Sequence, residues 1–63
     1  MEQTSYRVKY KNRVGHTVTH VVHCLDDAIK IKNSAKKDNY TDIEFVKLIR
    51  NFDYSITEIP QTI

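Results

Sequence analysis

The sequence has very little of what builds disulfide, phosphate-loop or membrane structures. It contains one cysteine, one glycine and one proline in 63 residues. A lone Cys24 cannot pair within the chain, which excludes a disulfide scaffold. One glycine, Gly15, excludes the glycine-rich loops that cradle phosphate groups. No apolar run approaches the length of about 18 residues that a membrane helix needs, so no membrane span is predicted.

What is present is typical of one small folded domain. The chain is 40% hydrophobic and 29% charged, with a formal net charge of only +2. This composition favours a folded chain over a disordered one. A chain this short buries on folding only about 60% of the surface that its unfolded form exposes. We expect a single domain over residues 1–63, with an ordered core from about residue 5 to 59. The first residues are polar and lack the basic segment followed by an apolar segment that marks a secretory signal. We therefore expect a cytoplasmic location, which is the host cytoplasm if the chain is phage-encoded.

The first part of the chain reads as a β-hairpin. Residues 5–11 alternate apolar and basic side chains, which is the period of a half-buried strand. Residues 16–24 are rich in β-branched side chains and predict a second, antiparallel strand. Gly15 lies in the turn between them, where a positive φ is needed.

A helix is predicted next, over about residues 27–37. Asp26 or Asp27 would cap its start, and basic residues in its last turn complement the helix dipole. Asp38 and Asn39 end it, because Asn tolerates a left-handed backbone. Its predicted inward residues are Ala28, Ile31 and Ala35, with Leu25 at the entry and Ile29 on the flank.

Residues 41–50 are compatible with two structures. Thr41 and Glu44 have the spacing of a helical capping box, but the β-branched and aromatic content favours a strand. We prefer a second hairpin whose last strand covers residues 54–59, ends at Pro60 and is followed by a loose tail at residues 61–63.

The predicted fold class is α+β, with the order ββαββ: a four-stranded, mostly antiparallel sheet with one helix packed on one face. One short helix covers one face, so the other must meet water or a partner. The alternation predicts a core side of strand two at Val18, His20, Val22 and a buried Cys24. The predicted partner-binding residues on and beside the open face are Arg7, Lys9, Lys11, Arg13, Val21, His23, Val46 and Leu48.

These residues predict a function in binding. Residues 1–24 carry a net charge of +3, and residues 25–63 carry −1, so the basic excess lies on the first hairpin. Such a surface is suited to a protein partner with an acidic surface, and its apolar part is also suited to a second copy of the chain. The alternative is a small regulatory protein that contacts nucleic-acid phosphates through the basic hairpin.

Metal and catalytic sites are not predicted. His16, His20, His23 and Cys24 are zinc-ligand types, but in a strand His16 and His20 would lie about 13 Å apart. Cys24 and His23 point to opposite faces of a strand, which separates a nucleophile from its base. We therefore expect no metal, no cofactor and no enzymatic activity.

The hairpin, the stretch Leu25-Asp26-Asp27-Ala28-Ile29 and the return strand together resemble small phage-encoded host-takeover proteins, such as phage inhibitors of RNA polymerase. The resemblance covers about residues 16–49. It implies a compact inhibitor or modulator that occupies a surface of a larger host machine.

Overall fold

The chain forms one antiparallel sheet and one helix. A computed structural model of the protein describes residues 3–62. The sheet has the strand order β2-β1-β3-β4, and every neighbouring pair is antiparallel. The predicted α+β class and ββαββ order are confirmed. The elements are β1 (Gln3–Lys11), β2 (Thr17–Val22), α1 (Leu25–Lys37), β3 (Thr41–Arg50) and β4 (Ile56–Pro60).

The first hairpin turns where the sequence predicts. The Asn12 amide donates to the His16 carbonyl at 2.9 Å, and the Gly15 amide donates to the Asn12 carbonyl at 3.0 Å. Gly15 has a φ of 84°, a conformation that costs other residues more than glycine. β2 is shorter than the predicted span 16–24, because the chain leaves the sheet after Val22.

Residues 41–50 form a strand, and the helical alternative is wrong. β3 pairs with β1 and places Phe45 opposite Val8. The pairing shifts between Lys9 and Lys11, where Asp42 has a φ of 54°. Pairing with strands on both sides satisfies the β3 backbone, and this outweighs the capping-box signal.

Helix α1 begins two residues earlier than predicted. Its N-cap is Cys24, which makes no side-chain capping bond, so the expected cap at Asp26 or Asp27 is wrong. Both aspartates lie in the first turn instead, where their charge favours the positive end of the helix dipole. The helix ends at Lys37, and Asn39 has the predicted left-handed backbone, with a φ of 59°.

The core lies between α1 and the central strands. Its fully or nearly buried side chains are Val8, Ala28, Ala35 and Phe45. Ile29 and Ile31 pack beside them, which confirms most of the predicted inward stripe. Two predictions fail: Leu25 is 44% exposed, and Cys24 is exposed rather than buried. Both residues lie past the end of β2, so the strand alternation that placed Cys24 inside no longer applies to it.

The last strand lies outside the cover of the helix. Helix α1 contacts β1, β2 and β3, and among the described residues it makes no contact with β4. β4 begins at Ile56 rather than Tyr54, because Tyr54 adopts a turn conformation with a φ of 66°. Gln61 is not loose: its amide donates to the Phe45 carbonyl at 2.8 Å. Within residues 3–62, no helix has the length and apolar character to cross a membrane.

Candidate binding surface on the open sheet face

Strand pairing fixes which side chains share the face opposite α1. Arg7 lies between Val21 on β2 and Val46 on β3, and Leu48 lies beside Ser5. Because side chains alternate along each strand, these residues point away from the helix, whereas Val8 and Phe45 point toward it. The open face is therefore built from the side chains that the alternation of the sequence predicted for it.

The predicted row of cations lies on this face, and each cation has an acidic partner. Arg7 pairs with Glu58 at 2.7 Å. The other two pairs join Lys9 with Glu44 and Lys11 with Asp42, each at 3.7 Å. The acids come from β3 and β4, which the sequence alone could not align with β1. The positive charge of the first hairpin is thereby largely neutralised along the sheet.

Arg7 is the most enclosed of these cations. Its side chain is 32% exposed, and its Nη2 atom donates to the Glu58 carboxylate. Its Nε atom is buried and has no hydrogen-bond partner among residues 3–62. The side chain therefore starts between the apolar residues Val21 and Val46, and its guanidinium reaches across β3 to β4. This ion pair divides the open face into two halves.

One half is polar and contains the two lysine pairs, and the other is apolar. On the apolar side, Val21 is 56% exposed and Ile56 is 57% exposed. In the loop from β3 to β4, Phe52 is 77% exposed and Tyr54 is 84% exposed. We call the set Val21, Leu48, Phe52, Tyr54 and Ile56 the apolar end.

Two shallow hollows adjoin each other at the apolar end. One, of about 260 Å³, is lined in part by Val21, Leu48 and Ile56. The other, of about 230 Å³, is lined in part by Phe52 and Tyr54. The hollows share two lining residues, Gln3 and Arg50. Arg50 makes no ion pair with any residue in the range 3–62, so its positive charge is available to a partner at this end.

The loop that carries the two aromatic residues is held by hydrogen bonds. The Asn51 amide donates to the Ser55 carbonyl at 2.9 Å, and the Tyr54 amide donates to the Asn51 carbonyl at 3.1 Å. The Ser55 hydroxyl and amide both donate to the Asp53 carboxylate, at 2.6 and 3.1 Å. These two bonds favour the charged form and lower the pKa of Asp53 below its ordinary value of 3.8.

The predicted site residues divide among different places. Val21, His23 and Leu48 line one hollow at the apolar end. Arg7 and Val46 line a groove near the start of β3, and Lys9 and Lys11 line a third depression. Arg13 lies at the tip of the first hairpin, away from the apolar end.

Sequence reasoning missed Phe52, Tyr54 and Ile56. The predicted last strand includes Tyr54 and Ile56 as sheet residues, and no binding role is predicted for Phe52, which precedes that strand. A signal was available: two aromatic residues flank an aspartate in a turn, and turns lie on the surface, where large side chains are often exposed.

The histidines and Cys24 do not come together as a metal site. His20 faces the helix side and hydrogen-bonds the Tyr10 hydroxyl through Nε2 at 3.3 Å. Cys24 is exposed at the start of α1. Within the described part of the chain, no three His, Cys, Asp or Glu side chains are grouped as metal ligands would be.

Comparison with known proteins found no counterpart: no family model, no curated protein and no solved structure matches the chain.

Proposed function

We propose that the chain is a non-enzymatic protein-binding module whose contact surface is the apolar end of the open sheet face. The observation that carries this proposal is the exposure of Val21, Phe52, Tyr54 and Ile56 around two adjoining hollows. Single exposed apolar residues are common on proteins, but an adjoining group rimmed by polar residues is typical of an interaction site.

The two aromatic residues are suited to anchor a partner. Large aromatic side chains dominate the binding energy of many interfaces, often in the company of arginine. Phe52 and Tyr54 lie on a loop that its own hydrogen bonds already order. Binding therefore costs little additional ordering of the backbone, and most of the apolar contact contributes to affinity.

The partner surface that fits is apolar with an acidic group beside it. The apolar part would receive Phe52 and Tyr54, and the acidic group would pair with Arg50. This chemistry keeps the expected acidic partner but moves the charge contact from the first hairpin to Arg50. In line with the resemblance to phage host-takeover proteins, we propose that binding inhibits or redirects a host macromolecular machine in the cytoplasm.

A double substitution tests this function directly. Phe52→Ser with Tyr54→Ser removes both anchors without touching the core, so the folded protein should lose its partner. The matched control is Val14→Ser, which removes an apolar residue that is 73% exposed at the opposite end of the molecule. Affinity capture from the source cell, followed by mass spectrometry, should find a protein retained by the wild type and by the control variant.

That protein should be absent from the double variant, and the purified pair should bind in calorimetry. A partner that the double variant retains at full strength would show that the apolar end is not the contact surface. Circular dichroism of both variants confirms that they are folded.

Nucleic-acid binding is a second candidate, and one observation favours it. Lys36 and Lys37 lie in the last turn of α1, at the end of the molecule where the tip of the first hairpin carries Arg13. None of these three residues forms an ion pair within residues 3–62. Phosphate contacts would therefore be expected at this tip rather than along Arg7, Lys9 and Lys11, whose charges are already paired.

A further inference from the structure

The sheet has two free edges, and they differ in what they offer to another strand. β2 forms one edge and β4 the other. β4 carries Pro60 and the charged Glu58, and both features discourage pairing with a further strand. β2 has the sequence TVTHVV, with β-branched residues at all positions except His20 and with no proline, Asp, Glu, Lys or Arg. Natural sheets rarely leave such an edge without cover.

The hairpin geometry shows which backbone groups of β2 are free. The Asn12 amide bonds the His16 carbonyl, and bonded and non-bonded pairs alternate along an antiparallel ladder. The next bonded pairs therefore use Val18, His20 and Val22, through the register with β1. It follows that the amides and carbonyls of the other positions, Thr17, Thr19 and Val21, point away from β1.

The same argument shows how the β4 edge is closed. The Gln61 amide bonds the Phe45 carbonyl, so Ile59 and Thr57 are the β4 residues bonded to β3. The backbone groups of Glu58 and Pro60 then point away from β3, toward the free edge. Pro60 has no amide hydrogen to donate there. The β4 edge therefore lacks a hydrogen-bond donor at Pro60. The β2 edge presents a free amide and a free carbonyl at every second residue.

We propose that β2 pairs with β2 of a second copy of this chain. The two strands run antiparallel around a two-fold axis at Thr19, which joins the two sheets into one continuous sheet. Thr19 faces the partner subunit's Thr19, and Thr17 faces the partner subunit's Val21. The outward groups of three facing pairs then form about six hydrogen bonds.

Charge explains why the occupant is a second copy. A two-fold interface brings the same surface together twice, so a charge at its centre would oppose itself. β2 has no Asp, Glu, Lys or Arg, its one histidine, His20, lies on the helix side, and facing Thr–Thr and Thr–Val pairs are favourable. The cations of β1 are already paired with acids, and the two β1 strands would lie about 14 Å apart, beyond the Debye length at physiological salt.

Sedimentation at increasing protein concentration tests the pairing. The apparent mass should rise from that of one chain, 7.4 kDa, toward twice that value. Thr19→Lys places two like charges opposite each other at the axis and should keep the protein at the mass of one chain. Thr62→Lys makes the same chemical change beyond β4 and should leave the association unchanged.

A disulfide trap tests the register. In a Cys24→Ser background, Thr19→Cys should form a covalent dimer, because a bonded antiparallel pair brings its Cα atoms to about 5.5 Å. Val14→Cys, which is exposed at the hairpin tip, measures the rate of chance collision.

Three results would overturn the pairing: the mass of one chain at every concentration, a dimer that survives Thr19→Lys, or trapping at position 19 no faster than at position 14. The double variant at Phe52 and Tyr54 should dimerise normally, so failure of this pairing and failure of the proposed function are separate outcomes.

Discussion

At the scale of single residues, the cations of the open face are neutralised by acidic residues that are distant in the sequence. Arg7, Lys9 and Lys11 alternate with apolar residues and are correctly predicted to share one face. Their partners come from other strands of the folded sheet: Glu44 and Asp42 from β3, which pairs with β1, and Glu58 from β4, which lies beyond β3. A count of charges along the chain therefore overstates the positive potential of this surface.

The three ion pairs should differ in strength, because Arg7 is less exposed than either lysine. The Arg7 side chain is 32% exposed, whereas those of Lys9 and Lys11 are 43% and 46% exposed. In a double-mutant cycle with Arg7→Met and Glu58→Gln, we expect a coupling energy of about 1 kcal/mol.

The matched cycle uses Lys9→Met and Glu44→Gln, and it should give less than about 0.5 kcal/mol, because exposed pairs contribute little. Urea denaturation provides the unfolding free energy for each variant. Equal coupling in the two cycles would show that the enclosure of Arg7 does not strengthen its pair.

At the scale of elements, the contact between α1 and the sheet depends on small side chains. Ala28 is 0% exposed and Ala35 is 1% exposed, and they lie two turns apart on one side of the helix. Ala28 packs with Val8 and Phe45, which form the buried centre beneath the helix, and Ala35 is buried two turns further along. A core this small leaves little room for larger residues.

Ala35→Leu should therefore destabilise the protein by about 1–3 kcal/mol through overpacking. For a domain of this size, that is a large part of the total, which is about 3–5 kcal/mol. Ser34→Leu, at an exposed position of the same helix, is the control and should change the unfolding free energy by less than about 0.5 kcal/mol. Urea denaturation of both variants measures the difference, and equal losses would contradict close packing at Ala35.

The elements are also where the sequence was most informative. The period-two alternation of β1 and the β-branched content of β2 and β3 identify strands, because side chains must alternate across a pleated sheet. The exact ends were less predictable. Cys24 and Tyr54 were both assigned to strands, and each lies where the backbone turns out of the sheet, which periodicity does not detect.

At the scale of the whole molecule, the short length of the chain determines which parts of the sheet stay exposed. Thirteen helical residues cover β1, β2 and β3, which leaves the opposite face and all of β4 exposed. The sequence predicted the open face and two residues of the apolar end, Val21 and Leu48, together with His23, which lines the same hollow. It did not predict the exposure of Phe52 and Tyr54 at this end, because that exposure depends on a loop conformation fixed by hydrogen bonds.

The most direct test of the account is to map the contact surface by NMR on the partner complex. Amide shifts of isotope-labelled protein are followed while the captured partner is added, and a DNA duplex is added in a parallel titration at low salt. We predict that the partner perturbs the apolar end, with the largest changes at Leu48, Phe52, Tyr54 and Ile56. Changes confined to the tip around Arg13, Lys36 and Lys37, or stronger changes with DNA than with the protein partner, would contradict the proposed function.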